Sequence, residues 1–249
     1  MEWAIMTFNI RIDTKEDGEN AWGHRKLKVI ECIETHQPDL LSIQEASYEM
    51  MKELSSYFTD YDWIGQGREG ANNGEFNAIL YKKNNVELLQ QGQFWLSETP
   101  AIPGSISWNS ACSRICTWGI FKKSNASPIY LYNTHLDHES SLARKKGIEV
   151  LCTYMQPAMN EEYPVVLTGD LNSNSQCKVI DILEHNGLIR LKTNGKTYHG
   201  FKGGISGQPI DYIFISNRFL TDKIYLDRER YQAGYPSDHY PVIAQIQQK

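Results

Sequence analysis

Short apolar runs broken by polar clusters recur along this chain, and their periodicity separates strands from helices. Trp3 to Phe8 is apolar on both sides and reads as a central strand covered on both faces. Asp39 to Glu45, Asn77 to Tyr81, Val86 to Leu96, Ile115 to Phe121 and Ile129 to Thr134 follow as further strands. So do Pro164 to Leu167, running into Thr168-Gly169-Asp170, then Ile210 to Ile215 and Pro241 to Ile246. Between them the period changes. Leu27, Ile30 and Ile33 share one face of a helix over Arg25 to His36, which Gln37-Pro38 ends. Ser47 caps a second helix with Leu54, Tyr57 and Phe58 as its apolar stripe. Ser140 to Met155, and a stretch from about Gln176 to His185, make two more. Asp13 to Gly23, Gly65 to Gly74, Ser97 to Asn109 and Lys192 to Gly207 are polar, Gly-bearing loops. There is no fixed-period repeat, low-complexity segment or linker, so one α/β domain over residues 1–249 is the economical reading.

Composition narrows the class. The 249 residues are 41% hydrophobic and 22% charged, enough for one large core or two small ones. No apolar run is long enough to cross a bilayer, and charge from Glu2 onward does not make a signal peptide. Five cysteines without CxxC spacing read as reduced thiols, which points to a cytoplasmic protein and argues against a zinc site built on cysteines. A net charge of -5 argues against tight, non-specific binding of duplex DNA. It leaves room for a nucleotide-processing enzyme whose acids belong to a metal site. Nothing in the chain calls for an obligate protein partner.

The candidate chemistry lies at strand ends. Asn9, Glu45, His135, Asp170 with Asn172, Asp211, and Asp238 with His239 each stand where an apolar run stops or begins. Singly, each is an ordinary turn residue. Strand ends of a layered α/β sheet converge on one rim, however, and the residue types suit one chemistry. Asp and Glu hold Mg²⁺ through oxygen, Asn orients a phosphate or a water, and His acts as a base or stabilises charge. Asp211 is a carboxylate at the head of a buried strand, which is costly unless paired, and a histidine is its natural partner. Arg114 at a strand mouth suits a phosphate or a surface ion pair. Trp95, Trp108 and Tyr198 lie on or beside loops, to stack on unpaired bases or to pack a lid. Alternation places His135 and Asp137 on one side of their strand, which gives a competing reading as zinc ligands together with His138.

Thr7-Phe8-Asn9, Ile43-Gln44-Glu45, Asn133-Thr134-His135-Leu136-Asp137, Gly169-Asp170-Leu171-Asn172, Ile210-Asp211-Tyr212-Ile213 and Ser237-Asp238-His239 together carry a resemblance. In that order they resemble the endonuclease/exonuclease/phosphatase superfamily, the DNase I-like fold, over almost the whole chain. Gly74-Glu75-Phe76-Asn77-Ala78 and Trp95-Leu96-Ser97-Glu98-Thr99-Pro100 look closest in style to its CCR4/nocturnin-like branch. The chain lacks the Trp-Cys-Asp-Arg segment of the phosphoinositide 5-phosphatase branch and the leucine-rich repeats of CCR4-type deadenylases.

The resemblance implies a four-layer α/β/β/α sandwich with two mixed β-sheets. It implies a metal-dependent hydrolase of phosphoester bonds that uses Mg²⁺ or Mn²⁺ and in-line attack by water. Glu45 would be the main metal ligand, helped by Asn9 and Asp238. Asp170 would activate or orient the water, and Asn172 would hold the scissile phosphate. His239 would contact the phosphate, oriented by Asp211. His135 would do similar work with Glu75 as its orienting partner, and Arg114 would match a phosphate-binding arginine. The expected substrate is a single-stranded RNA end, cut as a 3'-5' exonuclease would, or a nucleotide-like phosphoester. The alternatives are a phosphatase or phospholipase C-like phosphodiesterase acting on a small molecule or lipid head group, and a non-catalytic phosphate-binding module. No segment serves for membrane insertion.

Overall fold

The computed structural model describes residues 1–249. Twelve strands and four helices alternate: β1 (Glu2–Asn9), α1 (Trp22–His36), β2 (Leu40–Gln44), α2 (Tyr48–Tyr57), β3 (Tyr61–Ile64), β4 (Ile79–Lys82), β5 (Glu87–Trp95), β6 (Ile115–Lys122), β7 (Ile129–His135), α3 (Ser141–Asn160), β8 (Val165–Asp170), α4 (Lys178–His185), β9 (Ile189–Arg190), β10 (Asp211–Ile215), β11 (Phe219–Leu226) and β12 (Val242–Gln248). They form two six-stranded mixed sheets, ordered β11-β12-β1-β2-β4-β3 and β5-β6-β7-β8-β10-β9. β1 pairs parallel with β2, β7 pairs parallel with β8, and every other ladder is antiparallel.

Three apolar layers hold the sheets and helices together. α1 and α2 cover the outer face of the first sheet, packing Val29, Ile33, Met51 and Leu54 against Met6, Phe8, Leu41 and Ile43. α3 and α4 cover the second, with Ile148, Leu151 and Leu183 on Tyr132, Leu167 and Phe214. Between the sheets lie Trp3, Ile5, Leu40, Ile129, Leu131, Val166, Ile213 and Ala244. The central strands are therefore buried on both faces, which explains why their sequences are near-continuous apolar runs.

The inward-facing residues of these strands change character along their length. With a period of two, β1 points Trp3, Ile5, Thr7 and Asn9 at the other sheet, and β7 points Ile129, Leu131, Asn133 and His135. β8 points Val166, Thr168 and Asp170 the same way. Each set runs from apolar through neutral polar to catalytic-type residues at one end.

The neutral polar tier joins the two sheets by hydrogen bonds. Asn133 Nδ2 donates to Ile43 O and Ala78 O, both at 2.9 Å, and Asn133 Oδ1 accepts from Gln44 Nε2 at 2.7 Å. Thr168 Oγ1 donates to Ser42 Oγ at 2.7 Å. A buried polar group that loses a hydrogen-bond partner costs about 1–3 kcal/mol, so Asn133→Ala, which removes one bond each from Ile43 O, Ala78 O and Gln44 Nε2 while Ala78 O keeps the Ile43 N–H and Gln44 Nε2 keeps Thr7 Oγ1, should destabilise the fold by about 3 kcal/mol. A urea midpoint equal to that of the wild type would contradict the account of this tier.

Several elements differ from the sequence reading. α1 begins at Trp22, not Arg25, and its buried face is Trp22, Arg25, Val29, Ile30, Cys32 and Ile33, with Leu27 exposed. The α2 face is Met50, Met51 and Leu54, with Tyr57 exposed. β3, β9 and β11 have no counterpart among the predicted strands. β11 is an edge strand, Phe-Leu-Thr-Asp-Lys-Ile-Tyr-Leu, exposed through its middle and held by its ladder with β12. α3 continues through Pro157 to Asn160.

Candidate active site

The polar strand ends open into one cavity of about 560 Å³. Glu45, Glu75, Arg114, His135, Asp170, Asn172, Asp238 and His239 all line it. At the strand ends the backbone is bent to deliver side chains inward. Glu45 has φ 65° and Asn172 has φ 44°, a left-handed conformation that is uncommon outside glycine and concentrates at functional sites. Gly169 has φ 148°, and a Cβ there would lie 2.0 Å from Thr134 O, so only glycine lets β8 run this close to β7 before Asp170.

Asp170 is the centre of the site and is almost wholly buried. Its Oδ1 accepts from the Asn172 backbone N–H at 2.9 Å. Its Oδ2 accepts from Asn9 Nδ2 at 3.1 Å and lies 3.5 Å from His135 Nε2 and 3.8 Å from His239 Nε2. Asp211 is its directly opposed partner across the β8–β10 ladder. Burial and the Asp211 charge raise the Asp170 carboxyl to about 7, against the pull of His239 and its two hydrogen bonds.

The two histidines are held in opposite states. His239 Nδ1 lies 2.8 Å from Asp211 Oδ2. Burial alone would lower its imidazole, but the Asp211 charge and hydrogen bond, with Asp170 and Asp238 nearby, lift it to about 10. These carboxylates favour its imidazolium form. His135 is pushed well below its ordinary value by burial and by Arg114, His239, Arg68 and His138, so it is neutral. Its Nε2 accepts from Asn172 Nδ2 at 3.1 Å, and that amide also donates to Leu136 O at 3.0 Å.

Facing Asp170 across Asn9 is a pair of carboxylates. Glu45 Oε1 accepts from Asn9 Nδ2 at 2.8 Å, and Oε2 accepts from the Ile12 N–H at 3.0 Å. Asp238 is raised by burial and by Glu45, with His239 and Arg11 opposing. Arg11 lies 3.9 Å from Glu45 Oε2 and 4.0 Å from Asp238 Oδ2, and is anchored on Asp17. This is a hard oxygen donor set, and Glu45 and Asp238 fit a divalent cation such as Mg²⁺ or Mn²⁺. Asn9 stands between them and Asp170: its amide nitrogen donates to Glu45 Oε1 and Asp170 Oδ2, and its Oδ1 accepts the Arg11 N–H at 3.0 Å.

The structure corrects four expectations. Glu75 does not orient His135: its carboxylate pairs with Arg68 Nη1 at 2.8 Å, while His135 Nδ1 is buried without a hydrogen-bond partner. Trp95 is buried and donates its indole N–H to Arg68 O, so it packs the wall behind the cavity. Trp108 does not line the cavity either; its carbonyl accepts from Ser140 Oγ. Asp137 does not converge with His135 as a zinc ligand. Its oxygens accept from the N–H groups of Ala111, Glu139 and Ser140 and from Ser110 Oγ, which ties the loop to the start of α3.

Four residues absent from the sequence-derived site stand in or behind it. Arg11 follows Asn9 and could have been suspected from that adjacency. Arg68 lies in a Gly-rich loop whose sequence has no readable pattern. His138 is joined to Arg114 through Nδ1 at 2.9 Å. Arg25 is fully buried on the inner face of α1. It donates to the carbonyls of Asn20, Ile10, Arg11, Ile12 and Pro236, and so clamps the two loops that present Arg11 and Asp238. Burial without a contacting carboxylate lowers its guanidinium to about 10.

Comparison with known proteins shows the family and the fold. A family model described as the endonuclease/exonuclease/phosphatase family matches residues 6–239. The chain is 31% identical to a conserved protein of Enterococcus faecalis of known structure, with TM-score 0.92 over 99% of this chain and 100% of that one. It is 27% identical to the mannosyl-6-phosphatase of Bacteroides thetaiotaomicron, with TM-score 0.92 over 98% of this chain and 99% of that one. The human nocturnin catalytic domain, at 17% identity and TM-score 0.79 over 100% of this chain and 94% of that one, shares the fold.

Proposed function

Because the chain belongs to the endonuclease/exonuclease/phosphatase family, we propose that it is a divalent-metal-dependent phosphatase acting on a small, polar phosphomonoester. The observation that carries this reading is the Asp170 carboxyl seated 3.5 Å from His135 Nε2 and 3.8 Å from His239 Nε2, in one cavity with Glu45 and Asp238. A carboxyl lifted to about 7 by burial and Asp211 is matched to accepting a proton from water at neutral pH. The His239 imidazolium, fixed by Asp211, faces the same space and supplies positive charge where negative charge grows on the phosphoryl oxygens. Asn172, held by His135 and Leu136 O, orients the phosphate. A Mg²⁺ or Mn²⁺ ion held by Glu45 and Asp238 would supply Lewis-acid stabilisation of the phosphoryl group.

Two features favour a compact monoester over a nucleic-acid strand. Arg68, Arg114 and His138 place basic groups on the wall beside His135, which suits the dianion of a monoester. The two tryptophans that would have stacked on bases lie outside the cavity. The likeness to a mannosyl-6-phosphatase along the whole chain supports a sugar phosphate as the substrate class.

The test is phosphate release from a panel of hexose phosphates, nucleotides, phosphodiesters and single-stranded oligonucleotides, with Mg²⁺, Mn²⁺ or a chelator. Hexose monophosphates should be cleaved fastest. Arg114→Ala should lower kcat/KM on them by about 100-fold, close to the loss of a charge-assisted bidentate contact, while diesters change little. Turnover of diesters alone would overturn the monoester reading.

One observation keeps single-stranded nucleic acid as a second reading. The half-exposed Tyr198 ring stands at the cavity rim, edge-on to His239 with centroids 5.1 Å apart. Its free face offers a stacking platform for a base. Under this reading oligonucleotides would be the fastest substrates of the panel, and Tyr198→Ala would raise their KM.

A further inference from the structure

A second cluster of metal-ligating side chains lies beneath α1, away from the cavity. Cys32 and His36 are four residues apart, so they share one face of the helix. Asp227, just beyond β11, comes up against both. Cys32 Sγ lies 3.5 Å and His36 Nε2 2.8 Å from Asp227 Oδ2. Tyr231 directs its hydroxyl at the same oxygen, 2.5 Å away. Cys32 and Asp227 are buried, and none of the four residues lines the catalytic cavity.

We propose that Cys32, His36 and Asp227 hold a zinc ion, with the Tyr231 hydroxyl facing the fourth position. The donor set of one thiolate, one imidazole and one carboxylate is a zinc set and differs from the all-oxygen pair at Glu45 and Asp238. The three ligand atoms lie within 4.8 Å of one another. Zinc bonds of about 2.0–2.3 Å at tetrahedral angles put ligand atoms roughly 3.4–3.6 Å apart. The sulfur-to-oxygen distance already has this value, and the imidazole needs to withdraw by well under about 1 Å.

Two features set the cluster apart from a plain hydrogen-bond network. Asp227 Oδ2 has two lone pairs, yet a thiol, an imidazole and a phenol all converge on it. A cation among the four groups turns this surplus of donors into a set of ligands. Second, His36 Nδ1 has a dedicated partner, the Tyr225 hydroxyl at 3.2 Å. Metal-binding histidines are oriented in this way through their other ring nitrogen.

Charge and protons balance. Zinc, a thiolate and a carboxylate sum to zero, as a buried site requires. Binding releases the Cys32 thiol proton to solvent. His36 would bind through Nε2, releasing any proton held there, and keep a proton on Nδ1, where the Tyr225 oxygen accepts it. Asp227 also donates its backbone N–H to Pro241 O at 3.1 Å, two residues beyond His239, so the ion would stiffen the segment that carries the catalytic histidine.

Cobalt titration of the metal-free protein tests the site, because only thiolate ligation gives a near-ultraviolet sulfur-to-cobalt charge-transfer band. The wild type should develop this band at one equivalent and lose it when zinc is added. Glu45→Gln, which cripples the catalytic metal pair, should keep it, and so should Cys112→Ala, which removes the thiol nearest the cavity. Cys32→Ala and His36→Gln should abolish it. If Cys32→Ala fails to fold, the half-buried His36 decides through its own variant. No charge-transfer band in the folded wild type at excess cobalt, or a band lost only in Cys112→Ala, would overturn the proposal.

Discussion

Glu45→Gln is expected to lower kcat/KM by about 10³-fold at saturating Mg²⁺, since a metal ion stabilises the transition state by several kcal/mol. The substitution keeps the side chain's shape, so the loss isolates its charge. The fold should tolerate it at modest cost. Glu45 accepts from both Asn9 Nδ2 and the Ile12 N–H, and a Gln amide can satisfy only one of these. One unmatched donor lowers stability by about 1–2 kcal/mol. Activity and melting temperature measured on the same preparation separate the two effects. A folded variant with wild-type turnover would remove Glu45 from the chemistry.

Asp211→Asn is expected to lower kcat by about 100-fold at neutral pH with little change in KM, within the range for loss of a correctly charged proton-transfer or charge-stabilising group. Asp211 hydrogen-bonds His239 and acts on Asp170 through its charge, and no substrate contact is assigned to it. The sign of the pH effect follows from the direction of the His239 shift. Its imidazole is raised, so the charged form persists up to about 10 in the folded protein. Removing the Asp211 charge lowers that value, and the alkaline fall in kcat should move to lower pH. The same ion pair contributes stability that is fully present below the unfolded imidazole value of about 6.5 and is lost as pH rises through the folded one. A variant with the wild-type alkaline limb would make the pair merely structural.

The sequence was most informative where burial is strongest. β1, β2, β7, β8 and β10 are covered on both faces, so their apolar runs stand out. Their far ends carry the polar residues that meet in or directly behind the cavity, and Asn9, Glu45, His135, Asp170, Asn172, Asp238 and His239 could all be named before their contacts were known. β3 and β11 were illegible because backbone pairing, not apolar pattern, holds an edge strand. Side-chain direction was the second limit. Trp95 and Glu75 were correctly placed near the cavity, yet one turns its indole to Arg68 O and the other closes on Arg68 Nη1. Neither choice has a local signature, because Arg68 arrives from a loop with no periodicity. Asp137 shares its strand side with His135, but the loop groups that claim it, the Ser110 hydroxyl and the Ala111 N–H among them, come from residues up to 27 positions away. Arg25 was hidden for a different reason: a charged residue on an apolar helix face contradicts the pattern unless its carbonyl partners are known.

Under the proposed function, water activated beside Asp170 and dependent on a divalent metal attacks the phosphorus of a small phosphomonoester. The most direct test is hydrolysis of a hexose phosphate in ¹⁸O-labelled water, followed by ³¹P NMR, with Mg²⁺ and with a chelator. The account predicts that the label appears in inorganic phosphate and that the reaction stops in chelator. Label in the sugar, or undiminished hydrolysis in chelator, would contradict it.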